Sequence, residues 1–192
     1  MSMRLFVLCG FVLLSWLSPV QARELAGVVI ADQVRTHADG TPLSLNGSGL
    51  RRRFFVTLYV GALYLPEPAG TLDDILAMPG AKRFSMHFVH KEITPDKLVP
   101  VWNAGFEKNL TPDQFRALRP RIANFNGLFP TLRKGDRIDL DILPGRGVQV
   151  WINDKQRGKV VGDDFSRALL RIWLGDHPAD AGLKRGLLGG NP

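Results

Sequence analysis

The stretch Phe54–Leu65 (FFVTLYVGALYL) constrains this chain more than any other segment. It is rich in aromatic and β-branched residues and therefore reads as a strand. Successive side chains of a strand point to opposite faces, and here apolar residues fall on both. Such a strand belongs inside a sheet covered on its two sides. Tyr59 shares a face with Phe55, Thr57 and Gly61. The wider segment Thr41–Leu65 reads as two strands separated by a charged break at Arg51-Arg52-Arg53.

The flanking segments supply partners. Leu25–Ile30 is a short apolar strand candidate, and Phe84–Val89 alternates Phe84, Met86 and Phe88 with polar residues. Asp136–Leu143 and Val148–Asn153 form a hairpin around Pro144-Gly145-Arg146-Gly147, whose glycines supply positive φ. Ile138, Leu140 and Ile142 face one way, which leaves Asp139 and Asp141 on an outer face expected to be solvated.

A helix is predicted over Leu72–Met78, ended by Pro79-Gly80. Two more helices begin alike, at Thr94-Pro95-Asp96 and Thr111-Pro112-Asp113. Thr accepts from an unpaired N–H, Pro has no N–H to lose, and Asp suits the positive end of the dipole. Leu98, Trp102 and Phe106 form an apolar stripe in the first of these helices, and Pro100 is expected to bend or delay it. Asp163–Leu174 is a helix with Phe165, Leu169, Ile172 and Trp173 inward, and a short helix over Leu183–Leu188 follows. The order of strands, helices, strands and helix predicts an α+β fold, a largely antiparallel sheet covered by helices on one side.

The N-terminal segment reads as something other than fold. Arg4 gives a positive start, Leu5–Leu17 is almost wholly apolar, and Val20 and Ala22 occupy small-residue positions. The apolar run is shorter than the roughly 20 residues needed to span a bilayer. Residues 1–22 are therefore expected to be a secretory signal peptide, and residues 23–192 a single domain, periplasmic or secreted. The one cysteine, Cys9, lies in the leader, so the mature chain has no thiol to oxidise.

Few residues suggest chemistry. His87 and His90 lie three apart on a strand and point to opposite faces, so they do not form a metal site. Ser48 between adjacent glycines lacks the spacing of a nucleophile elbow. No metal site or cofactor is expected. The 25 Lys and Arg residues exceed the 18 Asp and Glu, for a net charge of +7. They are scattered and form no nucleic-acid recognition motif, so no nucleic-acid partner is expected. The excess could instead bring the protein to an anionic membrane surface. The one cluster, Arg51-Arg52-Arg53, is either a charged turn or an anion site at the rim of an apolar strand, where Arg would hold a carboxylate.

Several stretches resemble the chalcone isomerase-like family, specifically its secreted bacterial members. Leu45-Asn46-Gly47-Ser48-Gly49-Leu50-Arg51 is similar to its G-A-G-V-R segment. Phe55–Leu65 resembles its F-V-K-F-T-A-I-G-V-Y-L strand, Pro144–Ile152 its late hairpin, and Phe165–Gly175 its helix ending in I-I-G. The resemblance implies an open-faced β-sandwich, a large antiparallel sheet covered by a layer of helices, with a ligand cleft between them. It also implies site residues. Arg51 matches the Arg that stabilises the substrate oxyanion in the plant isomerases, and Asn103 aligns with a helical Asn facing the cleft. Tyr59 stands where those enzymes carry Thr, Asp96 where they carry a helical Tyr, and a further Thr or Ser has no counterpart near Lys155–Val161. The isomerase set is thus incomplete, and no catalytic residue is assigned. Arg51 with Tyr59 is closer to the pair that holds a carboxylate in plant fatty-acid-binding members. The short connection between them leaves Arg52 and Arg53 as alternatives for the inward cation. The resemblance implies non-catalytic binding of a small amphipathic carboxylate. The alternatives are an isomerase (an intramolecular lyase) acting on a phenolic or enone substrate, and a periplasmic accessory protein acting through its surface.

Overall fold

The computed structural model describes residues 23–190, so the expected signal peptide lies outside the described residues. A small hairpin comes first, β1 (Arg23–Leu25) and β2 (Val28–Ile30), followed by β3 (Gln33–Arg35), β4 (Pro42–Arg53) and β5 (Val56–Leu65). After α1 (Leu72–Ala77) and β6 (Lys82–Phe88), β7 (Glu92–Ile93) leads into α2 (Pro95–Asn109) and α3 (Pro112–Asn126). Then come β8 (Leu132–Arg133), β9 (Arg137–Leu143), β10 (Gly147–Ile152), β11 (Lys155–Val160), α4 (Asp163–Leu174) and α5 (Ala181–Leu187).

Seven strands form one antiparallel sheet in the order β11-β10-β9-β6-β5-β4-β3. One face carries Leu63, Phe84, Met86, Leu140 and Val150, which pack against Trp102, Phe106, Phe125, Phe165 and Trp173 of the helices. The helix starts behave as their sequences demand in part. Thr111 and Gln114 form a reciprocal capping box, whereas the Thr94 side chain makes no capping bond. Helix α2 runs unbroken past Pro100: one proline removes a single ladder hydrogen bond, and burial of Leu98, Trp102 and Phe106 holds the helix together.

Strand β5 is covered on both faces, as its composition requires. Val60, Ala62 and Tyr64 lie in a second apolar cluster with Ile30 of β2 and Leu43 of β4. Beside that cluster the outer face is polar but not wet. Asp139 and Asp141 are 2% and 0% exposed, which corrects the expectation of solvated carboxylates. The segment after β3 folds over them: the His37 backbone N–H donates to Asp141 at 2.7 Å and the His37 ring contacts Asp139 at 2.9 Å. Arg83 donates two bonds to Asp141, at 2.6 and 2.9 Å, and Ser85 donates to Asp139 at 2.6 Å.

The charged break also falls elsewhere than the sequence suggested. Arg51, Arg52 and Arg53 are the end of β4, and the chain reverses at Phe54-Phe55. Phe54 adopts a left-handed φ of 53°, which supplies the turn.

Helix α5 lies against β4 at backbone distance. A Cβ on Gly47 would stand 2.1 Å from the Gly186 carbonyl oxygen, and one on Gly186 would stand 2.4 Å from that of Ser48. Glycine on both sides permits this approach, which brings the N-cap of α5, Asp180, beside the end of β4.

Candidate ligand cleft

A bulge at Arg51/Arg52 sets Arg51 directly opposite Tyr59 on β5. Residues opposite one another in an antiparallel pair present their side chains on the same face. That face meets the helices, and between them lies a cavity of about 110 Å³. Its apolar lining comes from Leu58, Phe88, Ile93, Leu98, Val101, Trp102, Ile172 and Trp173. Arg51, Arg53, His90, Glu92 and Lys97 also line it. An outer groove of about 510 Å³ shares Arg51, Arg53, Lys97, Val101 and Ala179 with the cavity and runs along α2 to Lys108.

Tyr59 is held from behind. The Trp173 indole N–H donates to its hydroxyl oxygen at 2.8 Å, in a buried contact. Burial pushes the Tyr59 pKa up to about 12, against the opposing effects of the Trp173 hydrogen bond and the Arg51 charge. The phenol therefore keeps its proton at neutral pH. Its oxygen is already an acceptor, and its proton has no acceptor among the described residues, so it can donate to a ligand oxygen.

Arg51 is the matching cation. Its guanidinium donates to the Arg52 carbonyl and lies 3.8 Å from Asp180. Burial disfavours the charged Asp180, but the backbone N–H groups of Arg52, Leu183 and Gly182 and the charge of Arg51 outweigh that, and its pKa is lowered. Asp180 thus stays ionised and positions the guanidinium, at a separation that leaves Arg51 able to take a second anion.

Of the residues singled out from the sequence, Arg51 and Tyr59 come together at the cavity. Arg53 lines it as well, whereas Arg52 offers its backbone N–H to Asp180 at 3.0 Å. Asn103 does not line the cavity. It accepts a hydrogen bond from Asn126 at 2.7 Å and ties α2 to α3. Trp173 and Asp180 complete the site. The sequence marked Trp173 only as an inward helical residue, and no local pattern singles out Asp180, which lies 128 residues beyond Arg52.

On the other face of the sheet, His37, Asp139 and Asp154 bring ligand atoms within 4.8 Å of one another. The Arg137 guanidinium bridges both carboxylates and so supplies the positive charge there.

The model of a family described as chalcone isomerase-like matches residues 22–189. The chain belongs to the chalcone isomerase-like family. The solved structure of a fatty-acid binding protein from Arabidopsis thaliana shares its fold, with a TM-score of 0.63 over 81% of this chain and 95% of that one, at 16% identity. No curated protein matches the sequence. The open-faced sheet covered by helices is thus the family architecture, and in this chalcone isomerase-like chain the cleft between the two layers is lined by Arg51, Tyr59 and Trp173.

Proposed function

We propose that this chalcone isomerase-like protein is a non-catalytic binding protein for a fatty-acid-like carboxylate, acting outside the cytoplasm after removal of a signal peptide. The observation that carries the reading is the pairing of Arg51 with a proton-bearing Tyr59 at one apolar cavity. Arg51 supplies charge and a forked donor to a carboxylate, and Tyr59 supplies one further hydrogen bond. The lining side chains cover the apolar body. A structural neighbour that is itself a fatty-acid binding protein supports the same reading.

The cavity is smaller than the roughly 300–1,000 Å³ of ordinary small-molecule sites. A compact carboxylate fits within it, and a longer one would place part of its chain in the outer groove. Among the polar groups of the lining, which also include Arg53, His90, Glu92 and Lys97, Arg51 is a cation directly opposite a neutral hydroxyl donor, Tyr59. The phenol, with a pKa of about 12, keeps its proton near neutral pH and so offers no general base there.

Native mass spectrometry of the exported protein, purified without detergent, tests this reading. A bound species released on denaturation and identified as a carboxylate is the expected result. A bare protein mass that also fails to take up added medium-chain fatty acid, with the fold intact by circular dichroism, would overturn it.

A further inference from the structure

The β4–β5 hairpin ends in two aromatic side chains that touch little of the protein. Phe54 is 87% exposed and Phe55 fully so, and Val56 beside them is 44% exposed. Large apolar residues at a hairpin tip usually turn inward or are replaced by polar turn formers. Here the turn is made by Phe54 itself in the left-handed region, a conformation that is strained for a bulky side chain. A turn that leaves both rings in water and strains the backbone has no rationale in the folded monomer.

The ground around the tip is cationic. Arg52 and Arg53 form no ion pair among the described residues, and the Arg53 guanidinium lies 6.0 Å from the centre of the Phe54 ring. Two carboxylates of this end are engaged, Asp180 with Arg51 and Glu92 with Arg133. Two apolar rings ringed by free guanidinium groups match the interfacial zone of an anionic bilayer. Aromatic rings enter the headgroup boundary, and arginines bind lipid phosphates bidentately. A folded protein partner fits less well, because a stable protein interface needs about 800 Å² from each side and a two-residue projecting tip offers far less. No helix among the described residues is long and apolar enough to cross a membrane, so attachment through the tip would be peripheral.

We propose that the Phe54-Phe55 tip is a membrane-docking element for anionic lipid surfaces, and that it seats the mouth of the Arg51–Tyr59 cavity against the bilayer. Arg51 and Arg53 belong both to the tip strand and to the cavity lining, so docking places the cavity entrance at the headgroup level, where a carboxylate amphiphile partitions. This last step rests on the carboxylate-binding reading, whereas the docking itself does not.

Flotation of the mature protein with vesicles tests the proposal. One set contains equal parts of phosphatidylglycerol and phosphatidylcholine, and the other phosphatidylcholine alone. The wild type is expected to float with the anionic vesicles at low salt and to be released as salt rises. The double variant Phe54→Gly, Phe55→Ser relieves the strained φ and should fold at least as well as the wild type, yet its partition should fall at least about tenfold. The variant Arg52→Glu, Arg53→Glu should lose the preference for anionic over neutral vesicles. Wild-type protein that stays in solution, or an aromatic variant that floats like wild type, overturns the proposal. So does self-association in light scattering that the aromatic variant abolishes, if no vesicle binding accompanies it. Carboxylate uptake in vesicle-free buffer, measured on the same aromatic variant, reports on the cavity separately.

Discussion

The Trp173 indole N–H and the Tyr59 hydroxyl meet at 2.8 Å across the interface between α4 and β5. This one bond links the helical layer to the sheet and fixes the phenol from behind. Replacing Tyr59 with Phe keeps the ring packing but leaves a buried indole N–H without a partner. Stability to urea should fall by about 1–3 kcal/mol, and affinity for a carboxylate by roughly tenfold, the worth of a hydrogen bond to a charged group. Urea unfolding and calorimetric titration with a medium-chain fatty acid measure the two effects. An unchanged affinity would remove Tyr59 from the site while leaving its structural role intact.

Arg51→Ala should weaken carboxylate binding by at least about 2 kcal/mol, roughly 30-fold, as when one member of a partly buried charge pair is lost. Calorimetric titration of the purified variant checks it. Affinity equal to wild type would reassign the cationic role, with Arg53 as the other arginine lining the cavity.

Gly186→Ala should destabilise the protein by about 1–3 kcal/mol, the usual cost of overpacking. The added methyl meets backbone atoms of Ser48 and Gly49 and cannot be accommodated by a side-chain rotation. Because α5 carries Asp180 at its N-cap, carboxylate affinity should change along with the unfolding midpoint. A variant as stable as wild type would show that α5 can move away from β4 at little cost.

The buried pair Arg83–Asp141 should be sensitive to the loss of either partner. Arg83→Met leaves a carboxylate with 0% side-chain exposure short of its bidentate partner, and should cost about 3–5 kcal/mol. The double variant Arg83→Met, Asp141→Leu should recover part of that loss, because no buried charge is then stranded. Equilibrium unfolding of the two variants side by side distinguishes them, and equal losses would argue against charge burial as the cause.

Stability should decline toward acid in two stages. Burial lowers the His87 pKa below its ordinary value of 6.5, so the native state takes up its proton less readily than the unfolded chain. Stability is therefore intact above that value and falls as pH drops below it. Burial disfavours the charged Asp139, but hydrogen bonds from His37 and Ser85 and the charges of Arg83 and Arg137 prevail, and its pKa lies below the ordinary 3.8. Its contribution is present above that value and is lost as pH falls through the native pKa. Chemical unfolding along a pH series measures both stages, and His87→Gln should remove the first and keep the second.

The local signals in the sequence served well where periodicity and caps decide the structure. Strand β5 reads as doubly covered because apolar residues occupy both of its faces, and helix α4 is legible from Phe165, Leu169, Ile172 and Trp173. The misreadings share one cause. Asp139 and Asp141 alternate with Ile138, Leu140 and Ile142 like a wet strand face, but what covers them is His37, about a hundred residues earlier. Asp180 came into the site through α5, and Asn103 was directed to a neighbouring helix by Asn126. At the hairpin tip, two aromatic residues next to a strand pattern looked like more strand. Only the backbone at Phe54 reveals the turn.

The same outer-face polar pairs have a consequence for how the strands find one another. β3 to β6 are neighbours in sequence and in the sheet, and so are β9 to β11. The two groups join only at β6–β9, across the helices α2 and α3. At that seam Arg83 faces Asp141 and Ser85 faces Asp139. A slip of one residue would turn Arg83 onto the aromatic side of the sheet. A slip of two would set it against Asp139 and strand Asp141 without its guanidinium. The polar contacts thus act as an alignment key at the seam whose loop closure is longest, where apolar strands alone would tolerate several offsets.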